Sequence, residues 1–158
     1  MRVPWLAAAC CLPLAAAAAP FTAVVTRVTD GDTVWVRPLT GGIPRKVRIE
    51  GIDAPEICQA FGPESREALA HHVLNRRVTV VADSRDDYQR TVARLRLGQG
   101  DIGRWLVTHG YAWSYRFHGS PGPYPREEAR ARTRRLGLWA AGKPELPRDF
   151  RVRHGSCH

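Results

Sequence analysis

Short runs of apolar and β-branched residues, separated by turn-forming residues, recur through most of the chain. Five of these runs have the length and composition of β-strands, and they cover residues 21–28, 33–36, 45–52, 78–82 and 92–97. The Asp30-Gly31 pair between the first two runs is a hairpin turn signal, and Thr40-Gly41-Gly42 marks the next turn. The pattern therefore predicts five strands, of which the first two form a hairpin.

Three other segments carry the start and stop signals of α-helices. Pro63 starts the first helix, which is predicted to run to about Leu74. Asp101 can cap a second helix that ends at Gly110, and Pro125 opens a third that has acidic residues in its first turn and arginines in its last. Five short strands with helices between and after them predict an α+β fold, namely a five-stranded, OB-fold-like β-barrel with three helices.

The first nineteen residues differ in composition from the rest of the chain. Arg2 is followed by an apolar stretch that two prolines interrupt and that ends in five alanines. The stretch is shorter than the ~20 residues of a membrane span, and its small residues fit an export cleavage site. We expect residues 1–19 to be a signal peptide, residues 20–142 the folded domain and residues 143–158 a C-terminal tail. An uncleaved anchor is the alternative.

A cleaved signal peptide implies export to the periplasm or the medium, and no stable membrane association of the mature protein.

Basic residues outnumber acidic ones by 24 to 15, which gives a net charge of +9. All of the basic residues except Lys46 and Lys143 are arginines, whose planar donor fork suits phosphate. The charge indicates either a polyanionic partner or a surface that merely keeps the protein soluble.

Three polar segments at predicted strand ends carry candidate chemistry. They are Asp30-Gly31-Asp32-Thr33, the stretch from Arg48 to Glu56, and Asp86-Asp87-Tyr88-Gln89-Arg90. Each alone has an ordinary structural interpretation, as a hairpin turn, a solvated turn and an exposed charged loop. Asp32 and Asp53 are nevertheless expected at the ends of neighbouring strands, where a hard cation that prefers oxygen ligands could draw them together.

Together, in residue type, order and spacing, these segments resemble the staphylococcal nuclease family. They match its D-G-D-T, R-x-x-x-x-D-x-P-E and D-x-Y-x-R elements. The resemblance continues through Gly62-Pro63-Glu64, Gly110-Tyr111-Ala112-Trp113 and Leu136-Gly137-Leu138-Trp139. It covers roughly residues 24–140, and the ordered set is far more specific than any one element.

The resemblance implies one catalytic Ca²⁺ ion. Asp32 and Asp53 would supply carboxylate ligands and Ala54 a main-chain carbonyl, while Asp30 would support the site from nearby. The family hydrolyses DNA and RNA without base specificity and leaves 3′-phosphate ends. DNA and RNA are therefore the expected partners, and no obligate protein partner is implied.

The resemblance also assigns the groups that would act on the phosphodiester. Arg48 and Arg90 would bind the scissile phosphate, where negative charge grows during attack. Glu56 would orient or deprotonate the attacking water. Tyr88 and Tyr115 match aromatic positions near the nucleotide, although packing is an equally good role for them.

A catalytically inactive nucleic-acid-binding module on the same barrel is the alternative to an enzyme. Such a module would keep the basic surface but would have no reason to retain Asp32, Arg48, Asp53, Glu56 and Arg90 together. Their joint presence favours the enzyme.

The cysteines lead to one further expectation. Removal of the signal peptide would leave Cys58 and Cys157, which we expect to pair in an oxidising compartment. The bond would tether the C-terminal tail beside Glu56. Two free thiols or an intermolecular bond are the alternatives.

Overall fold

The computed structural model describes residues 19–86, 90–115 and 119–157. The predicted signal peptide, apart from its last residue, and the predicted nucleotide-binding residue Tyr88 lie outside these ranges. Within them, no helix combines the length and the apolar character that crossing a bilayer requires.

The described part of the chain contains eight strands. They are β1 (Phe21–Asp30), β2 (Thr33–Pro38), β3 (Arg45–Ile49), β4 (Ile52–Asp53), β5 (Arg77–Arg85), β6 (Thr91–Leu97), β7 (Gly100–Asp101) and β8 (Trp113–Ser114). Six of them form one sheet in the order β3-β2-β1-β5-β6-β7, and β4 pairs separately with β8. The first two strands form the predicted hairpin, with Asp30 opposite Thr33 at its end.

One parallel pairing closes the sheet into a barrel. Strand β3 lies beside β6, with Arg48 opposite Val92, while all the other pairs are antiparallel. The strands β1, β2, β3, β6 and β5 thereby form a closed ring of five. The predicted α+β, OB-fold-like barrel is confirmed.

Four helices and one 3₁₀ turn accompany the barrel in the described residues. They are α1 (Gly62–Val73), α2 (Ile102–Thr108), α3 (Pro125–Thr133), α4 (Pro147–His154) and the 3₁₀ turn Gly137–Trp139. The predicted cap of α2 is present, because the Asp101 carboxylate accepts the Arg104 amide N–H at 2.8 Å. Proline stands in the first turn of α1, α3 and α4.

The fourth helix corrects the prediction of three helices. It lies in the predicted tail, where arginines and an exposed Val152 leave almost no apolar stripe. Hydrophobic periodicity therefore could not reveal it.

The barrel interior is filled by alternating strand residues. Val34, Val36, Val47 and Ile49 are almost fully buried, as are many apolar residues of the other strands and of α1 and α2. Burying each such side chain stabilises the fold by about 1.5–3 kcal/mol relative to leaving it exposed. This core gives the polar residues at the strand ends a rigid base.

The C-terminal tail is attached to the turn that follows β4. The sulfur atoms of Cys58 and Cys157 are 2.00 Å apart, as a disulfide that spans 99 positions of the chain. Beside it, the Gln59 side-chain amide donates to the Glu145 carbonyl at 2.7 Å. The helix α4 is thus held next to the segment that carries Glu56.

Replacing Cys157 with serine is expected to destabilise the protein. In the chain-entropy description, a cross-link that closes a loop of about 100 residues stabilises the fold by at most ~4.7 kcal/mol. Thermal unfolding without reductant measures the loss. Cys58→Ser and the double variant should lose the same amount, since all three lack the same bond. An unchanged Tm for Cys157→Ser would contradict the prediction.

Candidate active site

A cleft with a volume of about 460 Å³ opens beside the turn of the β1–β2 hairpin. Its lining residues are Asp30, Asp32, Lys46, Arg48, Ala54, Pro55, Glu56, Arg90, Arg151 and Ser156. Six of the residues predicted from the sequence are among them. A seventh, Asp53, is not a lining residue but accepts a hydrogen bond from Arg48 at 3.0 Å.

The hairpin turn is fixed tightly in place. The Asp32 carbonyl accepts the Ile49 amide N–H at 2.8 Å, which ties the turn to β3. A Cβ atom added to Gly31 would lie 2.3 Å from Ser65 Oγ and 2.7 Å from Ala54 Cβ. Only glycine fits this close approach, so the Asp30-Gly31-Asp32 turn packs directly against α1 and the segment after β4.

Arg48 bridges two carboxylates in the cleft. Its Nη1 donates to Asp32 Oδ2 at 2.8 Å and its Nη2 to Asp53 Oδ1 at 3.0 Å. Nη2 also donates to the Ile52 carbonyl at 3.3 Å. The side chains of Arg48, Asp32 and Asp53 are only 19%, 10% and 12% exposed, so these ion pairs are shielded from solvent.

The acidic side chains nevertheless repel one another. Burial and the charge of Asp32 raise the pKa of Asp53 to about 6. The same two causes raise the pKa of Asp30 to about 7. Conversely, the charge of Asp32 raises the pKa of Arg48. One arginine therefore does not neutralise the cluster, and a further cation would be favourable.

The donor atoms here suit a hard cation with open coordination positions. Asp32 and Asp53 offer carboxylate oxygens, and the Ala54 amide N–H lies 3.5 Å from Asp32 Oδ2, which brings the main chain of Ala54 beside them. Among the described residues, no three aspartate, glutamate, histidine or cysteine side chains form a metal-binding group. Water or a substrate oxygen would have to complete the coordination. Ca²⁺ accepts such ligands, whereas a closed structural zinc site is completed by protein side chains.

Glu56 also lines the cleft, from a tightly packed turn of its own. Its amide N–H donates to the Gln59 side-chain carbonyl at 3.1 Å. A Cβ atom added to Gly62 would lie 1.9 Å from the Glu56 carbonyl oxygen, so that position also requires glycine. The Glu56 carboxylate accepts a hydrogen bond from Arg151 of α4, with Oε1 and Nη1 2.5 Å apart.

Arg90 enters the cleft because of the parallel strand pair. It stands immediately before β6, and β6 runs alongside β3, which carries Arg48. Asp86 fixes it twice, since Oδ1 accepts its amide N–H at 2.9 Å and Oδ2 accepts its Nε–H at 2.7 Å. The guanidinium groups of Arg48 and Arg90 thus line the same cleft.

Tyr115, one of the two predicted aromatic residues, does not line the cleft. Tyr115 follows β8, where its amide N–H donates to the Gly51 carbonyl at 2.9 Å. The residue is 42% exposed and does not line the cleft. Its partner in the prediction, Tyr88, lies outside the described residues.

Four residues that line the cleft were not predicted as site residues, namely Lys46, Pro55, Arg151 and Ser156. The signal for Arg151 was indirect. A disulfide between Cys58 and Cys157 places the tail near Glu56, and Pro147 followed by Asp149 is a helix-start pattern. Combining the two would have pointed to a helix beside the cleft.

Comparison with known proteins agrees with the sequence motifs. The sequence profile of the family described as staphylococcal nuclease homologue matches residues 46–141. An uncharacterised endonuclease of Haemophilus influenzae is 35% identical over 131 residues, which cover 82% of this chain and 72% of that protein. A micrococcal nuclease of Shigella flexneri is 36% identical over 144 residues, covering 84% and 82%. Protein ParB of Escherichia coli is 39% identical over 127 residues, covering 73% and 71%.

The raised pKa of Asp30 predicts a pH-dependent stability in the absence of metal. Its pKa rises from 3.8 to about 7 on folding, so the folded protein binds more protons than the unfolded chain between those values. The free energy of unfolding should therefore fall as the pH rises through this window. Asp30→Asn removes the titration and keeps the acceptor for the Asp32 amide N–H.

Urea unfolding in the presence of a chelator measures this effect. Wild type and Asp30→Asn should be similarly stable near pH 3.8, and the variant should be more stable than wild type near about pH 7. Glu67→Gln, at an exposed position of α1, is the control and should show no such divergence. A difference between wild type and Asp30→Asn that does not change with pH would refute the assignment.

Proposed function

Because the chain belongs to the staphylococcal nuclease family, we propose that it is a nuclease. More specifically, we propose a calcium-dependent, sequence-nonspecific endonuclease that hydrolyses phosphodiester bonds of DNA and RNA and leaves 3′-phosphate ends. The observation that carries the proposal is the convergence of Asp32, Arg48, Glu56 and Arg90 on one cleft. A phosphodiesterase needs anionic metal ligands, phosphate-binding cations and a base within reach of one another.

The metal would be held by the acidic residues beside the cleft. Asp32, Asp53 and the main-chain carbonyl of Ala54 are the proposed ligands, and Asp30 supports them. A bound Ca²⁺ supplies positive charge to a phosphate oxygen and helps to position water. The oxygen-only donor set and the mutual repulsion of the carboxylates support this proposal.

Two arginines would bind the scissile phosphate. Arg48 uses three of its five N–H donors on Asp32, Asp53 and Ile52, which leaves two for the substrate. Arg90 is held by Asp86 at its Nε, so its guanidinium is fixed before substrate arrives. Preorganised cations of this kind stabilise the charge that develops on the phosphate in the transition state.

Glu56 would act on the attacking water. Its side chain lines the same cleft as the residues proposed to bind the phosphate and the metal, and it is only 15% exposed. We propose that its carboxylate orients the water and accepts its proton as oxygen attacks phosphorus and the P–O5′ bond breaks. The alternative is a catalytically inactive nucleic-acid-binding module, in which the same cleft would bind nucleic acid without cleaving it.

We also propose that residues 1–19 direct export and that the folded domain acts in the periplasm or the medium. The Cys58–Cys157 disulfide supports this, since such bonds persist in oxidising compartments. Residues 20–142 would form the nuclease domain, with residues 143–158 attached to it as a tail. Nucleic acid is the only partner that this function requires.

Removal of a proposed metal ligand is expected to abolish cleavage. The mature protein should cut plasmid DNA and RNA with Ca²⁺ and lose this activity in a calcium chelator. Asp32→Ala and Asp53→Ala should be inactive and should no longer be stabilised by Ca²⁺ in thermal unfolding. Glu67→Ala, which removes an exposed carboxylate, should behave as wild type in both assays. Full cleavage in chelator would exclude the metal.

Arginines inside and outside the cleft should differ in their kinetic effects. Arg90→Ala should lower kcat, because Arg90 meets charge that develops only in the transition state. Arg134, which is exposed at the end of α3, should contribute at most a salt-dependent binding effect. Steady-state kinetics of both variants at several ionic strengths separates the two. If Arg90→Ala changes only KM, Arg90 is a binding contact and not a transition-state group.

A further inference from the structure

The C-terminal helix brings an additional arginine into the cleft. Arg151 of α4 donates to the Glu56 carboxylate, with Nη1 and Oε1 2.5 Å apart. This residue lies beyond the family motifs, which end at Trp139, and beyond residues 46–141, which the family profile matches. The contact lies on the one carboxylate that the proposed mechanism assigns to the attacking water.

Three independent links hold α4 in this position. The Cys58–Cys157 disulfide attaches its C-terminal side, and the Gln59 side chain binds the Glu145 carbonyl on its N-terminal side at 2.7 Å. The Arg151–Glu56 pair is the third link. All three connect the tail to the short turn of residues 56–59, so the helix is anchored to the segment that presents Glu56.

The shielding of Glu56 distinguishes this ion pair from one between two exposed side chains. Exposed pairs contribute little, because water and salt compete with both partners. The Glu56 side chain is only 15% exposed, while that of Arg151 is 41% exposed. The arginine therefore reaches from the surface to a carboxylate that the cleft shields, and it limits the orientations available to that carboxylate.

We propose that Arg151 is a positioning residue for Glu56, delivered to the cleft by the tethered C-terminal helix. This inference rests on the proposed nuclease function. Arg151 binds Oε1 of Glu56, which leaves Oε2 as the atom that accepts the proton from the attacking water. No bond forms or breaks at Arg151 itself. The proposed contribution of Arg151 is therefore to the geometry of the Glu56 carboxylate.

The effect of losing this contact should appear in turnover. A misplaced catalytic group can cost up to ~10²-fold in rate. Arg151→Ala should therefore lower kcat by up to about that factor and leave KM nearly unchanged. Arg151→Lys, which can still donate to Oε1, should recover part of the loss. Arg148→Ala removes the same charge from an exposed position of α4 that does not line the cleft, and it should match wild type.

A double-mutant cycle with Glu56→Gln tests whether Arg151 acts through Glu56. If it does, Arg151→Ala should have little further effect on kcat in the Glu56→Gln background, because the group to be positioned has already been altered. Kinetics on plasmid DNA with saturating Ca²⁺ provides kcat and KM for the four proteins. Thermal unfolding and a thiol count confirm that each variant is folded and has its disulfide. Arg151→Gln replaces Arg151→Ala if the latter does not fold.

Two outcomes would overturn the inference. An equal loss in both backgrounds, with a raised KM that depends on salt, would make Arg151 a phosphate contact that acts independently of Glu56. An unchanged kcat in Arg151→Ala would reduce the contact to a surface ion pair. Both outcomes require an active wild type, whereas an inactive, folded wild type would refute the proposed function itself.

Discussion

The structure depends on one largely buried arginine that is shared by two carboxylates. Arg48 holds Asp32 and Asp53 at 2.8 and 3.0 Å, where both acids are nearly withdrawn from solvent. Removing one partner of a buried ion pair typically costs about 3–5 kcal/mol, because the remaining charge is left without compensation. The hairpin turn, β3 and β4 must therefore meet at this point. The same contact fixes the fold locally and brings the acidic residues of the cleft together.

The cleft combines groups of both charges. Burial raises the pKa of Asp30 and Asp53, so the acidic cluster still favours an additional positive charge. Lys46, Arg90 and Arg151 line the same cleft and favour an anion. A phosphodiester bound together with a cation would satisfy both groups at once. This complementarity is the physical basis of the proposed function.

Local signals in the sequence were sufficient for much of the fold. The Asp30-Gly31 turn, Pro63 at the start of α1 and the Asp101 cap of α2 act within a few residues, and the structure contains each of them. The parallel β3–β6 pair joins segments more than forty positions apart, and no local pattern encodes such a partner. The family motifs, rather than periodicity, indicated which side chains would lie together. Arg151 was missed because it lies beyond those motifs, in a helix without an apolar stripe.

The tail shows how a segment with little intrinsic stability can contribute to a cleft. An isolated helix of eight residues is only marginally stable in water, and α4 buries little apolar surface of its own. Its position must therefore come from its attachments, namely the disulfide, the Gln59 hydrogen bond and the pair with Glu56. Each attachment ends within the turn of residues 56–59, so the helix and that turn stabilise each other. A carboxylate presented by a short loop gains its fixed orientation from this arrangement rather than from the barrel alone.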